Sequence, residues 1–149
     1  MQFIATAALA VLAAVAPAVS APVSSPFMGV INTPTASSTI APEQLFDFNY
    51  AVSNWCEEGY NIFKVFVVSS PDAPTFDNVN ADGDIENALV DFGEFTVANF
   101  GLPPLGNPAP SSLTMPSVSE NSIQEGYNIF LTVVQIFTSC PVRIGTHGE

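Results

Sequence analysis

Hydrophobic and polar residues alternate strictly along Leu45-Phe46-Asp47-Phe48-Asn49-Tyr50. Successive strand side chains point to opposite faces, so Phe46, Phe48 and Tyr50 would line a buried face, with Asp47 and Asn49 turned to water. Tyr60–Val68 is β-branched and aromatic. Its odd positions Phe63, Val65 and Val67 are uninterrupted, whereas Lys64 breaks the even ones, which predicts the odd face inward and Lys64 outward. Further strands are expected near Met28–Ile31, at Phe92–Val97, at Ser112–Met115 (ended by Pro116), and at Tyr127–Phe137, the most β-prone run of the chain. Between them, a short helical turn is expected around Ile85–Val90. Residues 101–110, GLPPLGNPAP, read as a rigid loop that no sheet interior accepts.

Six or seven short strands separated by turn signals, with no long 3.6-residue period, predict an all-β chain, and a β-sandwich fits them best. One hexapeptide occurs twice: Glu58-Gly59-Tyr60-Asn61-Ile62-Phe63 and Glu125-Gly126-Tyr127-Asn128-Ile129-Phe130. Two copies this far apart do not make a solenoid. The expectation is two equivalent strands in opposite halves of a pseudo-symmetric sandwich.

The apolar run Phe3–Val15, with Pro17 and the small residues that follow, predicts a signal peptide over 1–20 and a mature start at Ala21. A Pro/Ser/Thr-rich lead-in over 21–44, the β-sandwich domain over 45–140 and a polar tail over 141–149 complete the expected organisation. Such a chain would be secreted. In an oxidising compartment the two cysteines, Cys56 and Cys140, point to one disulfide. Cys56 precedes the first copy's strand and Cys140 follows the end of the second's. Antiparallel strands would bring these positions within the roughly 4.4–6.8 Å Cα separation of a bridge. Closing that loop removes about 4–5 kcal/mol of denatured-state entropy in the chain-entropy account.

Lys64 and Arg143 stand against fourteen acidic residues, for a net charge of −12. Two cations cannot build the basic patch that nucleic acid or an anionic membrane surface requires, so neither is an expected partner. His147 is the sole histidine, close to the last residue, which leaves no material for a Ser-His-Asp or Cys-His pair or for a zinc or copper site. The chain is therefore expected not to be an enzyme. Paired carboxylates for sugar hydrolysis stay open as a third reading, although half of the acids fall between Asp72 and Glu94.

Residues 111–130, SSLTMPSVSENSIQEGYNIF, resemble the passage between the fifth and sixth strands of immunoglobulin-like domains. That resemblance implies an immunoglobulin-like sandwich with Tyr127 as a tyrosine-corner residue. Ile129, not a cysteine, stands two residues beyond it, so the staple would differ from that of immunoglobulins. The mature chain is also similar to small secreted β-sandwich proteins of fungi, in its Ile31-Asn32-Thr33-Pro34 opening, its Phe-x-Phe-x-Tyr strand and Cys140-Pro141. This second likeness implies an extracellular protein more than any activity.

Asn78-Val79-Asn80-Ala81-Asp82-Gly83-Asp84-Ile85-Glu86 resembles an EF-hand or dockerin calcium loop. Alternate oxygens from Asn78, Asn80, Asp82, Asp84 and Glu86 would converge on calcium, with Gly83 making the sharp turn. Position 12 of such a loop is Leu89 here, and a solvated Asn/Asp/Gly turn is the other reading. Trp55 and Tyr50 are candidates for an aromatic sugar platform, and packing against the bridge or in the core is their alternative. The function expected from all of this is a secreted, non-catalytic protein acting through its surface on a cell-wall glycan or an extracellular protein. A calcium-stabilised carbohydrate-binding module is the alternative.

Overall fold

The structure, a computed structural model, describes residues 28–117 and 124–138. The expected signal peptide, the tail and Cys140 lie outside them. Among the described residues the chain is all-β, with seven strands and one 3₁₀ turn. The strands are β1 (Val30–Thr33), β2 (Leu45–Asp47), β3 (Asn49–Ala51), β4 (Tyr60–Ser70), β5 (Val90–Ala98), β6 (Ser112–Thr114) and β7 (Asn128–Ile136). All sheet pairings are antiparallel: β1 with β3, β2 with β6, and a three-stranded sheet in the order β5-β4-β7.

The expected strand over 45–50 is two strands with different partners. At Phe48 the chain leaves β6 for β1, and the Phe48 N–H bonds to the Ser111 carbonyl between them at 2.9 Å. Alternation survives the exchange, because Phe46 and Phe48 are buried and Tyr50 is half-buried on the same side. They meet the odd face of β4, where Phe63, Val65 and Val67 are buried as expected. Phe63 is the hub, with ring centroids 6.4 Å from Phe48, 5.0 Å from Tyr50 and 5.6 Å from Phe95. Ile40 joins this core and β1 covers its edge, so the packed part of the chain begins inside the segment expected as a lead-in.

A bulge lets β5 serve the core along its whole length. Phe63 opposes Phe95, but beyond the irregularity at Val65 the register shifts, and Val67 opposes Val90. Gly93 takes φ +93°, a left-handed conformation that glycine adopts at little cost, and its N–H bonds to the Asp91 carboxylate at 2.7 Å. The extra residue changes the parity of the buried face. Val90 and Phe92 therefore pack on the same side as Phe95 and Val97.

The even face of β4 is also covered, which the interruption at Lys64 concealed. Phe66 and Val68 are buried against Ile85, with Val79, Ala88 and Val134 around them. Ile85 is held by a bridge to Val79, and the expected helical turn at 85–90 is instead a tight turn leading straight into β5. The acidic segment is thus a lid with an apolar underside.

The two hexapeptide copies are neighbours in one sheet, not equivalents in opposite halves. β4 and β7 pair from Ile62 opposite Ile136 to Ser70 opposite Asn128. This pairing sets the start of the first copy beside the end of β7.

Candidate functional site

At that junction, side chains far apart in sequence form a buried polar network. Glu58 is buried, and its Oε1 accepts hydrogen bonds from the Thr138 N–H (2.6 Å) and hydroxyl (2.9 Å). Its Oε2 accepts from Asn61 Nδ2 at 3.3 Å, and Asn61 Oδ1 accepts from Asn99 Nδ2 at 2.7 Å. Asn99 Nδ2 also donates to the Glu58 carbonyl (2.8 Å), while Asn54 Oδ1 receives the Glu58 N–H (2.9 Å). Asn61 is fully buried, and a buried amide or carboxylate is tolerable only when its partners are in place. The network welds the 54–58 turn, the 99–105 loop and the end of β7 together.

Exposed apolar side chains stand on these braced loops. Trp55 is 38 % exposed and meets Phe137 edge-on at 6.3 Å. Phe100 is 72 % exposed and sits at φ +55°, a conformation that costs a bulky residue energy. Leu102 is exposed beside Gly59, and the Tyr60 hydroxyl donates to the Pro103 carbonyl at 3.2 Å. Neither core packing nor backbone propensity asks for a phenylalanine at position 100. Nothing in the local pattern of residues 99–105 marks this end, because it is assembled by the pairing of β4 with both β5 and β7.

Cys56 lies half-buried at the same end, and no described cysteine is free. The antiparallel register brings its neighbours Trp55 and Glu58 against Phe137 and Thr138.

Tyr50, the other aromatic candidate, lies in the fold's interior layer. Its ring packs on Phe63 and its hydroxyl donates to Gln135 Oε1 at 2.9 Å. Gln135 also bonds the Ser53 carbonyl (2.6 Å) and N–H (3.1 Å). Burial pushes the Tyr50 hydroxyl up to about 12 against a smaller opposing hydrogen bond at Gly29.

The loop holding the expected calcium ligands spends much of its oxygen on itself. Asn78 Oδ1 accepts from the Thr75 N–H at 2.8 Å. Asn80 Oδ1 accepts from the Asp82 and Asp84 N–H groups, each at 2.9 Å. Gly83 makes the expected turn at φ +78°. The Lys64 ammonium sits where further oxygens converge, 2.6 Å from Asp84 Oδ1 and 2.9 Å from the Asp82 carbonyl. Lys64 is thereby held charged above its ordinary range, first by the Asp84 hydrogen bond, with burial opposing and the charges of Asp84, Glu94 and Asp91 assisting. Asp82 and Glu86 are exposed. Among the described residues no three His, Cys, Asp or Glu side chains are gathered in a metal-holding group.

Comparison with protein-family models, curated proteins and solved structures gives no match. Among the described residues no helix is long and apolar enough to cross a membrane.

Proposed function

We propose that this chain is a secreted, non-catalytic extracellular protein that works by surface interaction, with a cell-wall glycan or an extracellular protein as its partner. The observation carrying this reading is the exposed group Trp55, Phe100 and Leu102 on loops braced by the buried Glu58–Asn61–Asn99 network. Rigid loops that expose aromatic side chains lose little entropy on binding, and aromatic anchors supply much of the energy of interfaces. The reading includes an immunoglobulin-like β-sandwich related to the small secreted fungal proteins, closed by a Cys56–Cys140 disulfide. The facing neighbours of Cys56 support that bridge. Retention of the mature protein on insoluble chitin, glucan or cellulose, or on a matrix of extracellular proteins, tests the proposal. Phe100→Ala is expected to lose that retention at unchanged melting temperature, and Trp55→Ala to lose it with a lowered one, since it also removes the Phe137 contact. Wild-type protein recovered wholly in the supernatant of every matrix counts against it.

The second reading, a calcium-stabilised carbohydrate-binding module, is favoured by the loop spacing and the Gly83 turn. It requires calcium to displace the Lys64 ammonium from Asp84. A Tm raised by millimolar calcium supports it, and an unchanged Tm disposes of it.

A further inference from the structure

We propose that β7 pairs along its outer edge with β7 of a second copy of this chain, antiparallel about a two-fold axis at Thr132. Two three-stranded sheets then become one of six strands.

β4 fills one edge of β7, from Asn128 opposite Ser70 to Ile136 opposite Ile62. Among the described residues no strand pairs with the other edge. Thr132 to Ile136 are half-buried without a break, although successive side chains point to opposite faces. Exposure that ignores the alternation belongs to the flank of a strand, not to either face. In the central strand β4, by contrast, Val65 to Val68 are buried in an unbroken run. An open flank presents alternate N–H and C=O groups, which are a template for another strand.

The other outer strand, β5, is closed to such pairing. Its bulge at Gly93 breaks the ladder, and Asp91 and Glu94 place charge along it. The loop at Asn107 and Pro108 also lies against it. The Thr96 N–H donates to the Asn107 carbonyl at 2.7 Å, and Asn107 Nδ2 donates to the Glu94 carbonyl at 3.1 Å. Bulges, charges and covering loops are the devices by which sheets block edge-to-edge association. Asn128–Ile136 holds no charged residue, proline or glycine, and its register against β4 runs without a shift.

A second copy fits this edge better than a foreign strand, because one pairing satisfies two open edges. Thr132 is the middle residue of β7. A two-fold axis there, perpendicular to the sheet, sets Thr132 opposite its counterpart, Leu131 opposite Val133 and Phe130 opposite Val134. Odd positions then meet odd ones, so the face bearing Ile129, Leu131 and Val133 continues from one core to the next. Such threonine and apolar pairs favour a ladder when directly opposed. Nine opposed residues exchange roughly eight to ten backbone hydrogen bonds, as many as a whole interface commonly carries. The charged β5 strands do not oppose this arrangement. They would stand five strand spacings apart, about 24 Å, well beyond the ~8 Å screening length.

Sedimentation of the mature protein over a wide concentration range tests this, and a reversible dimer of twice the chain mass is expected. Thr132→Lys sets like charges face to face at the axis and should weaken the dimer at least about tenfold. Its melting curve separates lost pairing from lost folding. Thr132→Cys, which changes little in volume, should yield a disulfide-linked dimer on mild oxidation. Directly opposed Cα atoms stand roughly 4.5–5.5 Å apart, within bridging range. Asn128→Cys, at the far end of the strand from its counterpart, should not cross-link. Equal cross-linking of the two cysteine variants, or of neither, overturns the pairing. A monomer at every concentration also overturns it. Slow amide exchange along β7 would then assign the edge to another segment of the same chain, and fast exchange to a partner of another kind.

Discussion

The same six residues lie in two places, and their fates differ. In the first copy Glu58 is buried, Asn61 is fully buried and Phe63 is the centre of the aromatic core. In the second copy Glu125 and Asn128 are exposed, and Asn128 only reaches over to the Pro71 carbonyl at 3.2 Å. β4 and β7 pair odd with odd and even with even, as in Phe63 opposite Gln135. The copies are offset by an odd number of positions (125 − 58 = 67), so identical side chains point to opposite faces of one sheet. Phe63 enters the aromatic core, whereas Phe130 lies opposite Val68 on the other face, and Ile129 takes the core side. β4 is also the central strand and β7 an outer one in this sheet. Burial of a strand residue is thus set by register and by rank in the sheet, not by local sequence.

The comparison can be broken most sharply at the phenylalanines. Phe63→Ala should cost about 4 kcal/mol in chemical denaturation, and Phe130→Ala at least ~1 kcal/mol less, since one neighbouring strand is missing there. Equal losses would mean that the two faces are equally packed. The asparagines come next. Asn61→Ala should cost about 3 kcal/mol, because it removes a fully buried amide and its hydrogen bonds to Glu58 and Asn99, whereas Asn128→Ala should stay within about 0.5 kcal/mol.

A pH profile sharpens the picture around Phe63. The Tyr50 hydroxyl titrates at about 12 in the fold against an ordinary 10.0. Between those values the unfolded chain releases a proton that the folded chain keeps, so stability is complete below pH 10 and falls as pH rises towards 12. The loss should be up to about 2 kcal/mol and should be absent from Tyr50→Phe melts over the same range. The smallest effect belongs to the lid. Lys64→Met breaks a partly exposed pair with Asp84 while keeping the apolar stem, and should cost about 0.5 kcal/mol, readable as a small Tm decrease that added salt diminishes. Its contribution is present below the ordinary lysine range and is lost as pH rises through the raised folded value.

Much of the strand inventory was legible because a strand with one wet face must alternate. Phe46, Phe48, Phe63, Val65 and Val67 were placed inward on that ground alone. The bulge in β5 had a readable sign as well: apolar residues at 90 and 92 resume at 95 and 97, a change of phase across Gly93. The buried even face of β4 was not legible, since Lys64 among Ile62, Phe66 and Val68 looks like a solvent stripe until its ammonium is seen to reach the lid. Of the proposed sites, the spacing of Asn78, Asn80, Asp82 and Asp84 signalled a closed turn. It carried no sign that Asn80 would accept from its own loop or that the Lys64 ammonium would bond Asp84.

By itself the sequence determined the β class, the positions of most strands and the acidic, cation-poor character of the chain. These depend on residues a few positions apart, or on simple counts. Tertiary structure alone decided which strands pair, which face each hexapeptide copy presents, and that Glu58, Asn61, Asn99 and Thr138 meet beneath Trp55 and Phe100. The reason is physical. Side-chain alternation is local, whereas register joins segments some seventy residues apart, and a shift of one residue would exchange every buried side chain for an exposed one.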